Sequence, residues 1–391
     1  MKRQRVTPES ITVFTFTRLR IAQMDIARQR LHRTFLVDRR WTTGSDVVRA
    51  LGAVQAQDYE GAKWALSMRT TAATDAAIER EFDSGAILRT HVLRPTWHFV
   101  DPTDIRWMLA LTGPRVMKTM ATYDRKLGLD ERVFRRSRSA LTKALRDADL
   151  TRTELKAVLE PKVGPLGGGI AGVQRTAHLM MRAELEGVIC SGPRRGKQFT
   201  YALLDRRVRS AAILDRDEAL LELTRRYFRT RSPATPQDFS WWSGLPMADV
   251  RRGIDLARAE LESVSIGDVA YWVHGDTPSR AKPSAWLLPN YDEFFIGYRD
   301  RSAIGRRLRN ISSVTGGSTL INHVLVVDGQ LVGGWKRLAD GDGISLQASV
   351  LTRLSRSERI RLQEAVRAFE AFVQRKVKVN WVARKPVARK R

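Results

Sequence analysis

The chain has 391 residues, more than a single hydrophobic core usually organises, so its length favours two to four domains. Its 43% hydrophobic and 28% charged residues are typical of a globular protein and argue against a disordered one. The 68 lysines and arginines against 42 acidic residues give a net charge of +26, which favours a polyanionic partner such as nucleic acid. The alternative is an arginine-rich proteome that raises the charge of every protein in the cell.

The only cysteine is Cys190, which excludes a disulfide framework and a cysteine-based zinc site and fits a reducing cytoplasm. The N-terminus is basic but lacks the apolar stretch and cleavage site of a signal peptide, and no run of 18 apolar residues is present. We therefore expect a cytoplasmic protein with no membrane partner, no metal and no cofactor.

The first part of the chain, residues 18–115, predicts helices followed by a hairpin, which is the layout of a winged helix. Helices are expected over 24–31, 45–51 and 59–69, with Ser45 as the N-cap of the second. Two runs of β-branched and aromatic residues over 86–101 predict the hairpin, with Arg94 and Pro95 in its turn.

A second winged helix is predicted over residues 116–210. Helices are expected over 150–159 and 172–189, and the second of these has an apolar stripe at helical spacing that includes Val173, Met180 and Leu185. A hairpin follows whose glycine-containing tip carries the cations Arg194, Arg195 and Lys197. This tip favours a wing lying on DNA phosphates, and the alternative is an ordinary surface hairpin.

A third helix-turn-helix is predicted over residues 211–280. Thr235 is a capping residue with Pro236 in the first turn and Asp238 in a capping-box position. A buried stripe is expected in the next helix, at Val250, Ile254, Ala257 and Leu261. Two DNA-binding candidates, Arg251 and Arg252, then fall on other faces of that helix.

The last part, residues 281–391, is rich in strand patterns from residue 285 onward. Asp328-Gly329 lies between two apolar runs and is a strong hairpin signal. A small antiparallel barrel or sheet is expected, closed by a helix that begins with a capping box at Ser355 and Glu358. A basic tail ends the chain. The fold class is α+β.

Most familiar catalytic signatures are absent, including the P-loop, the nucleophile elbow and the zinc-protease histidine pair, and the six histidines show no metal-ligand spacing. Asp292 and Glu293 are adjacent carboxylates between large apolar residues. Burial there favours one of them as a general base. The alternative is a strand end or turn held by backbone hydrogen bonds.

Gln55 and Gln57 lie two residues apart in the sequence AVQAQDY, between two predicted helices. In an extended segment both side chains project from the same side, so their amides can converge on one ligand or one water. By itself the pattern is also that of a loop hydrogen-bond network.

Four segments together resemble the winged-helix DNA-binding proteins that include the AlkZ-like DNA glycosylases. They are RLRIAQMDIARQRL, LGAVQAQDYEGAKWALSMRT, ILRTHVLRPTWHFVDPTDIRWML and LLPNYDEFFIGYRDRS, and the resemblance extends over about residues 18–373. It implies tandem winged-helix motifs in a concave arrangement with a C-terminal β-barrel. It also implies excision of N7-alkylguanine, including interstrand cross-links, from double-stranded DNA.

The family's catalytic motif, Q-x-Q in the AlkZ branch, falls on Gln55 and Gln57. The resemblance implies that these amides position the attacking water. Asp58 follows the motif, and its role as a base, an orienter of Gln57 or a helix cap stays open. Because an N7-alkylguanine already carries positive charge, it leaves as a neutral base without an acid.

The sequence therefore predicts a monofunctional DNA glycosylase that acts as a monomer on alkylated or cross-linked DNA. The alternative is a non-enzymatic winged-helix DNA-binding protein such as a transcriptional regulator, because most winged helices are binding modules.

Overall fold

The computed structural model describes residues 25–167, 169–209, 211, 213–275, 282–308, 323–340 and 343–383, and there the chain is a mixed α+β protein. Three successive units each place helices before a small antiparallel sheet, and a larger sheet follows them. Within these ranges no helix has both the length and the apolar character needed to cross a lipid bilayer.

The first unit has the order helix, strand, helix, helix, hairpin, and it follows a short leading helix. Its elements, with that helix, are α1 (Ile26–Arg33), α2 (Gly44–Leu51), β1 (Ala53–Gln55), α3 (Tyr59–Ser67), α4 (Asp75–Ser84), β2 (Leu88–His91) and β3 (Trp97–Val100). Strand β3 lies between β1 and β2. The prediction of Ser45 as N-cap is wrong: the Thr43 hydroxyl accepts the N–H of Asp46, so the helix begins one residue before Ser45.

The second unit repeats the same order after a long helix. Its elements, with that helix, are α5 (Ile105–Lys126), α6 (Glu131–Ala144), β4 (Leu150–Thr151), α7 (Arg152–Val163), α8 (Gly169–Leu185), β5 (Ile189–Ser191) and β6 (Thr200–Leu203). Its sheet order, β4-β6-β5, matches that of the first unit. The predicted core stripe of α8 holds at Met180 and Leu185 but is wrong at Val173, which is exposed because Gly172 and Thr176 form the buried face there.

The third unit keeps this order with its first strand reduced to one bridge. Its elements, with a preceding short helix, are α9 (Leu204–Arg207), α10 (Arg216–Arg231), α11 (Pro236–Ser243), α12 (Met247–Leu256), β7 (Leu261–Ile266) and β8 (Val269–His274). Ala234 and Trp272 exchange both backbone hydrogen bonds at 2.8 and 3.2 Å, in the place of the missing strand. The capping box of Thr235 and Asp238 is confirmed. Val250, Ile254, Ala257 and Leu261 are all buried, but the predicted helical stripe holds only at Val250 and Ile254. The helix ends at Leu256, Ala257 is its C-cap and Leu261 begins β7.

The C-terminal part is a five-stranded mixed sheet with one long helix. Its elements are β9 (Ala285–Leu288), α13 (Glu293–Ile296), β10 (His323–Val327), β11 (Gln330–Asp340), β12 (Gly343–Val350), α14 (Arg356–Val373) and β13 (Val377–Ala383). The strand order is β13-β12-β11-β10-β9, and the β10–β11 hairpin turns at Asp328 and Gly329 as predicted.

The antiparallel prediction for this part is correct for all these pairings except the last. Strand β13 pairs in parallel with β12, because α14 carries the chain back before the strand begins. In the described ranges β9 and β13 are the two edges of an open sheet, so a closed barrel is not seen there. The first part of the predicted basic tail, residues 375–391, is also a strand, since Val377 and Val379 alternate inward with exposed polar residues. Residues 384–391 of that tail lie outside the described ranges.

The largest apolar core is shared by the first unit and the C-terminal sheet. Trp64 on α3 stacks edge-on against Phe369 on α14 with ring centres 5.1 Å apart, and its indole N–H donates to the Leu287 carbonyl at 2.7 Å. This packing brings α13, near the end of the chain, against β1, near its beginning.

Candidate active site

Gln55 and Gln57 lie on an extended segment, as their spacing predicts. Gln55 is the last residue of β1 and pairs with His98 on β3, and the Ala56 N–H continues the ladder by donating to the Trp97 carbonyl at 2.8 Å. Alternation along this segment places the two glutamine side chains on the same side. Gln55 is only 4% exposed, whereas Gln57 is exposed. The pair therefore consists of one fixed amide and one that faces solvent.

Gln55 is held through both its side chain and its backbone. Its side-chain oxygen accepts a hydrogen bond from Nη2 of Arg94 at 2.7 Å, and its backbone N–H donates to Oε1 of Glu293 at 3.1 Å. The amide oxygen has two lone pairs, so one stays available for a water. The oxygen of Gln57 accepts the Trp97 N–H at 3.4 Å, a long contact that leaves this side chain adaptable.

Glu293 is fully buried, and both of its carboxylate oxygens accept hydrogen bonds. Its Oε2 accepts from Nε and Nη2 of Arg231 at 3.1 and 2.5 Å and from the Trp242 indole N–H at 2.9 Å. Its other oxygen holds the Gln55 backbone. Glu293 therefore neutralises a buried arginine and positions Gln55, and it is not presented to a substrate.

Asp292 is also committed to structure. Its two oxygens accept from Nη1 and Nη2 of Arg69 at 2.8 and 2.9 Å, and one of them caps α13 through the Phe294 N–H. The Asp292 side chain is buried together with that of Arg69. Neither of the adjacent carboxylates singled out in the sequence is placed to act as a general base in this arrangement, and the alternative of a turn held by hydrogen bonds describes them better.

Asp58 is the N-cap of α3. Its Oδ1 accepts the Gly61 N–H at 3.1 Å, with the extended backbone that an N-cap requires. Its side chain also lines a cavity of about 370 Å³ that includes Pro289 and His323, and neither glutamine lines that cavity. Asp58 thus faces a different space from the two amides.

Two residues of this site were missed in the sequence, Arg94 and His98. Arg94 looked like a turn residue, and its contact with Gln55 joins positions 39 residues apart, for which no local pattern exists. His98 is fully buried beside Gln55 in the sheet, and its Nδ1 lies 2.9 Å from the Thr96 carbonyl, to which it donates. Burial, followed by the charge of Arg94, holds the pKa of His98 well below its usual 6.5, so the ring is neutral.

The candidate wing cations divide into two groups. Arg194 is folded back onto the first unit: its guanidinium lies 5.0 Å from the Tyr59 ring centre and 4.6 Å from that of Phe199. Arg195 pairs with Glu154 at 2.8 Å. Lys197 is exposed, with no ion pair in the described part of the chain. Of the three, Lys197 is the one most available to a phosphate.

The same division holds on α12. Arg252 pairs with Asp217 across to α10 at 2.5 Å, and both side chains are about half exposed. Arg251 is exposed and makes no ion pair with any described residue. DNA contact by these arginines stays a prediction.

Residues 48–372 match the family described as "DNA glycosylase AlkZ-like". The chain is 24% identical over 370 residues to an interstrand DNA cross-link repair glycosylase of Streptomyces sahachiroi. The alignment covers 92% of this chain and 96% of that protein. It also resembles the solved structure of the Streptomyces sahachiroi DNA glycosylase AlkZ. That likeness has a TM-score of 0.76 at 21% identity and covers 92% of this chain and 98% of the other.

The family match over most of the chain shows an enzyme of the DNA glycosylase class, and the solved structure shares its mixed α+β fold. Within that class, the chain belongs to the AlkZ-like DNA glycosylase family. The sequence prediction of an enzyme, in preference to a non-enzymatic regulator, is confirmed.

Proposed function

We propose that the chain is a monofunctional glycosylase for N7-alkylated guanine in double-stranded DNA and that it unhooks interstrand cross-links. One observation carries the proposal. The three carboxylates considered for this site are committed elsewhere, Asp292 and Glu293 in buried ion pairs and Asp58 in the cap of α3, whereas the amide of Gln57 is exposed and that of Gln55 keeps a free lone pair. The name of the Streptomyces sahachiroi relative adds support for cross-linked DNA as the substrate.

The chemistry of a cationic base suits a site built from amides. Loss of an N7-alkylguanine leaves an electron-poor sugar and a neutral base, so no acid is needed at the leaving group. The second lone pair of the Gln55 oxygen and the exposed Gln57 amide are both able to orient a water toward the sugar carbon. An uncharged base such as uracil lacks this built-in activation and is spared.

The three repeated units are proposed to be winged helices that hold duplex DNA as a concave surface, with boundaries near 18–115, 116–210 and 211–280. Residues 281–391 form the fourth domain. The shared sheet order of the first two units supports this, as does the bridge of Ala234 and Trp272 in the third. Lys197 and Arg251 are exposed cations on the second and third units that suit backbone phosphates. A clamp of this kind acts as a monomer.

The proposal is tested with duplexes that contain one N7-methylguanine, one nitrogen-mustard cross-link or one uracil. Abasic sites are measured under single-turnover conditions. We expect release of the two cationic adducts and no release of uracil. Failure to exceed spontaneous depurination on both adducts would refute the proposal.

The site itself is tested with the double variant Gln55→Ala, Gln57→Ala. Gln174→Ala is the matched control, because Gln174 is an exposed amide on α8. We expect the double variant to lose excision while it retains its melting temperature and its affinity for DNA. Wild-type excision in the double variant would keep the enzyme and reject the site.

A further inference from the structure

Two neighbouring arginines, the partly buried Arg94 that holds Gln55 and the buried Arg301, make no ion pair with a carboxylate of the described residues. Arg94 donates from Nη2 to Gln55, while its Nε is buried without a hydrogen-bond partner among the described residues. Arg301 is 9% exposed and donates from Nε to the Phe295 carbonyl at 2.9 Å, and its Nη2 is likewise buried and unpartnered in the described ranges. Each guanidinium therefore has one N–H donor group with no acceptor among the described residues.

The two side chains converge on one aromatic ring. The guanidinium carbons of Arg94 and Arg301 lie 5.9 and 5.7 Å from the centre of the half-buried Trp241 ring. Burial lowers the pKa of each to about 10, an effect that Glu293 partly opposes at Arg94 and that Asp238 and Asp300 partly oppose at Arg301. Both stay charged at neutral pH, so the chain holds two neighbouring cations in a poorly hydrated place.

The nearby carboxylates are already used. Glu293 serves Arg231, as described above. Asp238 lies against Arg30, and its Oδ1 accepts the backbone N–H groups of Arg299 and Asp300 at 2.9 and 3.1 Å. Glu293 still acts on Arg94, and Asp238 and Asp300 on Arg301, but neither guanidinium makes a direct ion pair with a described carboxylate. A charge held in a poorly hydrated place without such a pair is costly.

We propose that Arg94 and Arg301 form a binding site for a phosphodiester of the DNA strand that carries the lesion. The guanidinium fork matches the geometry of phosphate oxygens, and the anion supplies acceptors for the donors that no described residue uses. Because Arg94 also holds the Gln55 oxygen, the bound phosphate lies next to the reacting sugar. The inference rests on the proposed function, and it assigns these two arginines as positioning residues.

The site has a consequence for excision. A phosphate held by Arg94 and Arg301 fixes the strand relative to Gln55 without gripping the base, which suits an adduct that is tied to the opposite strand. It also neutralises two cations close to the place where positive charge develops on the sugar.

The experiment measures affinity for an undamaged duplex as a function of salt concentration. Arg94→Gln and Arg301→Gln are the test variants, and Arg367→Gln is the control, because Arg367 is an exposed arginine on α14 far from β1 in sequence. We expect each test variant to reduce the slope of log affinity against log salt by about 1, and the control to leave it unchanged. Unchanged slopes in both test variants would overturn the site.

Melting temperature separates this role from a purely structural one. Removing a guanidinium that has no direct ion pair should leave the melting temperature of the free protein equal or higher, whereas Arg231→Gln, which removes the partner of Glu293, should lower it. A marked loss of stability in both Arg94→Gln and Arg301→Gln would identify them as structural residues and contradict the proposal.

Inorganic phosphate serves as a second probe of the anion's source. Stabilisation of the wild-type protein by millimolar phosphate that both test variants lack, together with unchanged DNA salt slopes, would assign the site to a free phosphate and overturn the DNA assignment. The salt slopes use undamaged DNA, so they decide this inference even if the wild-type protein excises no adduct.

Discussion

Glu293 offers the sharpest test of how the site is built. Its carboxylate accepts hydrogen bonds from Arg231, Trp242 and the Gln55 backbone and is 0% exposed. Glu293→Gln keeps the size but removes the charge and turns one acceptor into a donor, which leaves Arg231 charged and unpaired. Breaking a buried ion pair costs about 3–5 kcal/mol, a large part of a typical total stability of about 5–15 kcal/mol.

Unfolding by guanidinium, followed by fluorescence, measures this cost as a lower midpoint. Asp205→Asn is the matched control, because Asp205 is 84% exposed in its pair with Arg106 and such pairs contribute about 0–1 kcal/mol. Excision by folded Glu293→Gln should also fall, since Gln55 loses its backbone anchor. A loss of stability within about 1 kcal/mol of the control would refute the reasoning about this buried pair.

Three further predictions follow from the site and its surroundings. Asp58→Ala should cost about 1 kcal/mol in unfolding experiments through loss of the α3 cap, while Asp58→Asn, which can still cap, should cost less. Excision should be unchanged in both, and loss of excision in both would give Asp58 a catalytic role. The pKa of His98 is lowered in the folded state. As the pH falls below about 6.5, the unfolded chain therefore binds a proton at His98 while the folded chain does not, and the free energy of unfolding decreases. His98→Asn should flatten this dependence by up to about 1.4 kcal/mol per pH unit, measured by unfolding between pH 7 and 5, and equal slopes would contradict it. Lys197→Gln should reduce the salt slope of DNA binding by about 1 without loss of stability, whereas Arg194→Gln should lower stability and leave the slope unchanged. The opposite pattern would place Arg194 on the DNA.

The predictions that succeeded depend on local physics. The buried face at Val250 and Ile254 is visible because a helix repeats every 3.6 residues, and the capping box of Thr235 and Asp238 spans three residues. The turn at Asp328 and Gly329 is equally local. The extended form of the Gln55–Gln57 segment follows from its place between two helices, while the interest of those glutamines came from the family resemblance.

What only the tertiary structure decided is which distant residues meet. The contact of Glu293 with Gln55 joins positions 238 residues apart, and no periodicity connects them. For the same reason the sequence did not show the contact of Arg94 with Gln55, the packing of Arg194 against Tyr59 or the parallel pairing of β13. Helix period, caps and turns depend on a few neighbouring residues, so the sequence by itself determined such local features and the position of the glutamine pair. Buried charge pairs and sheet order depend on how separate elements pack. That packing places Glu293 against the backbone of Gln55 and Arg94 against its side chain.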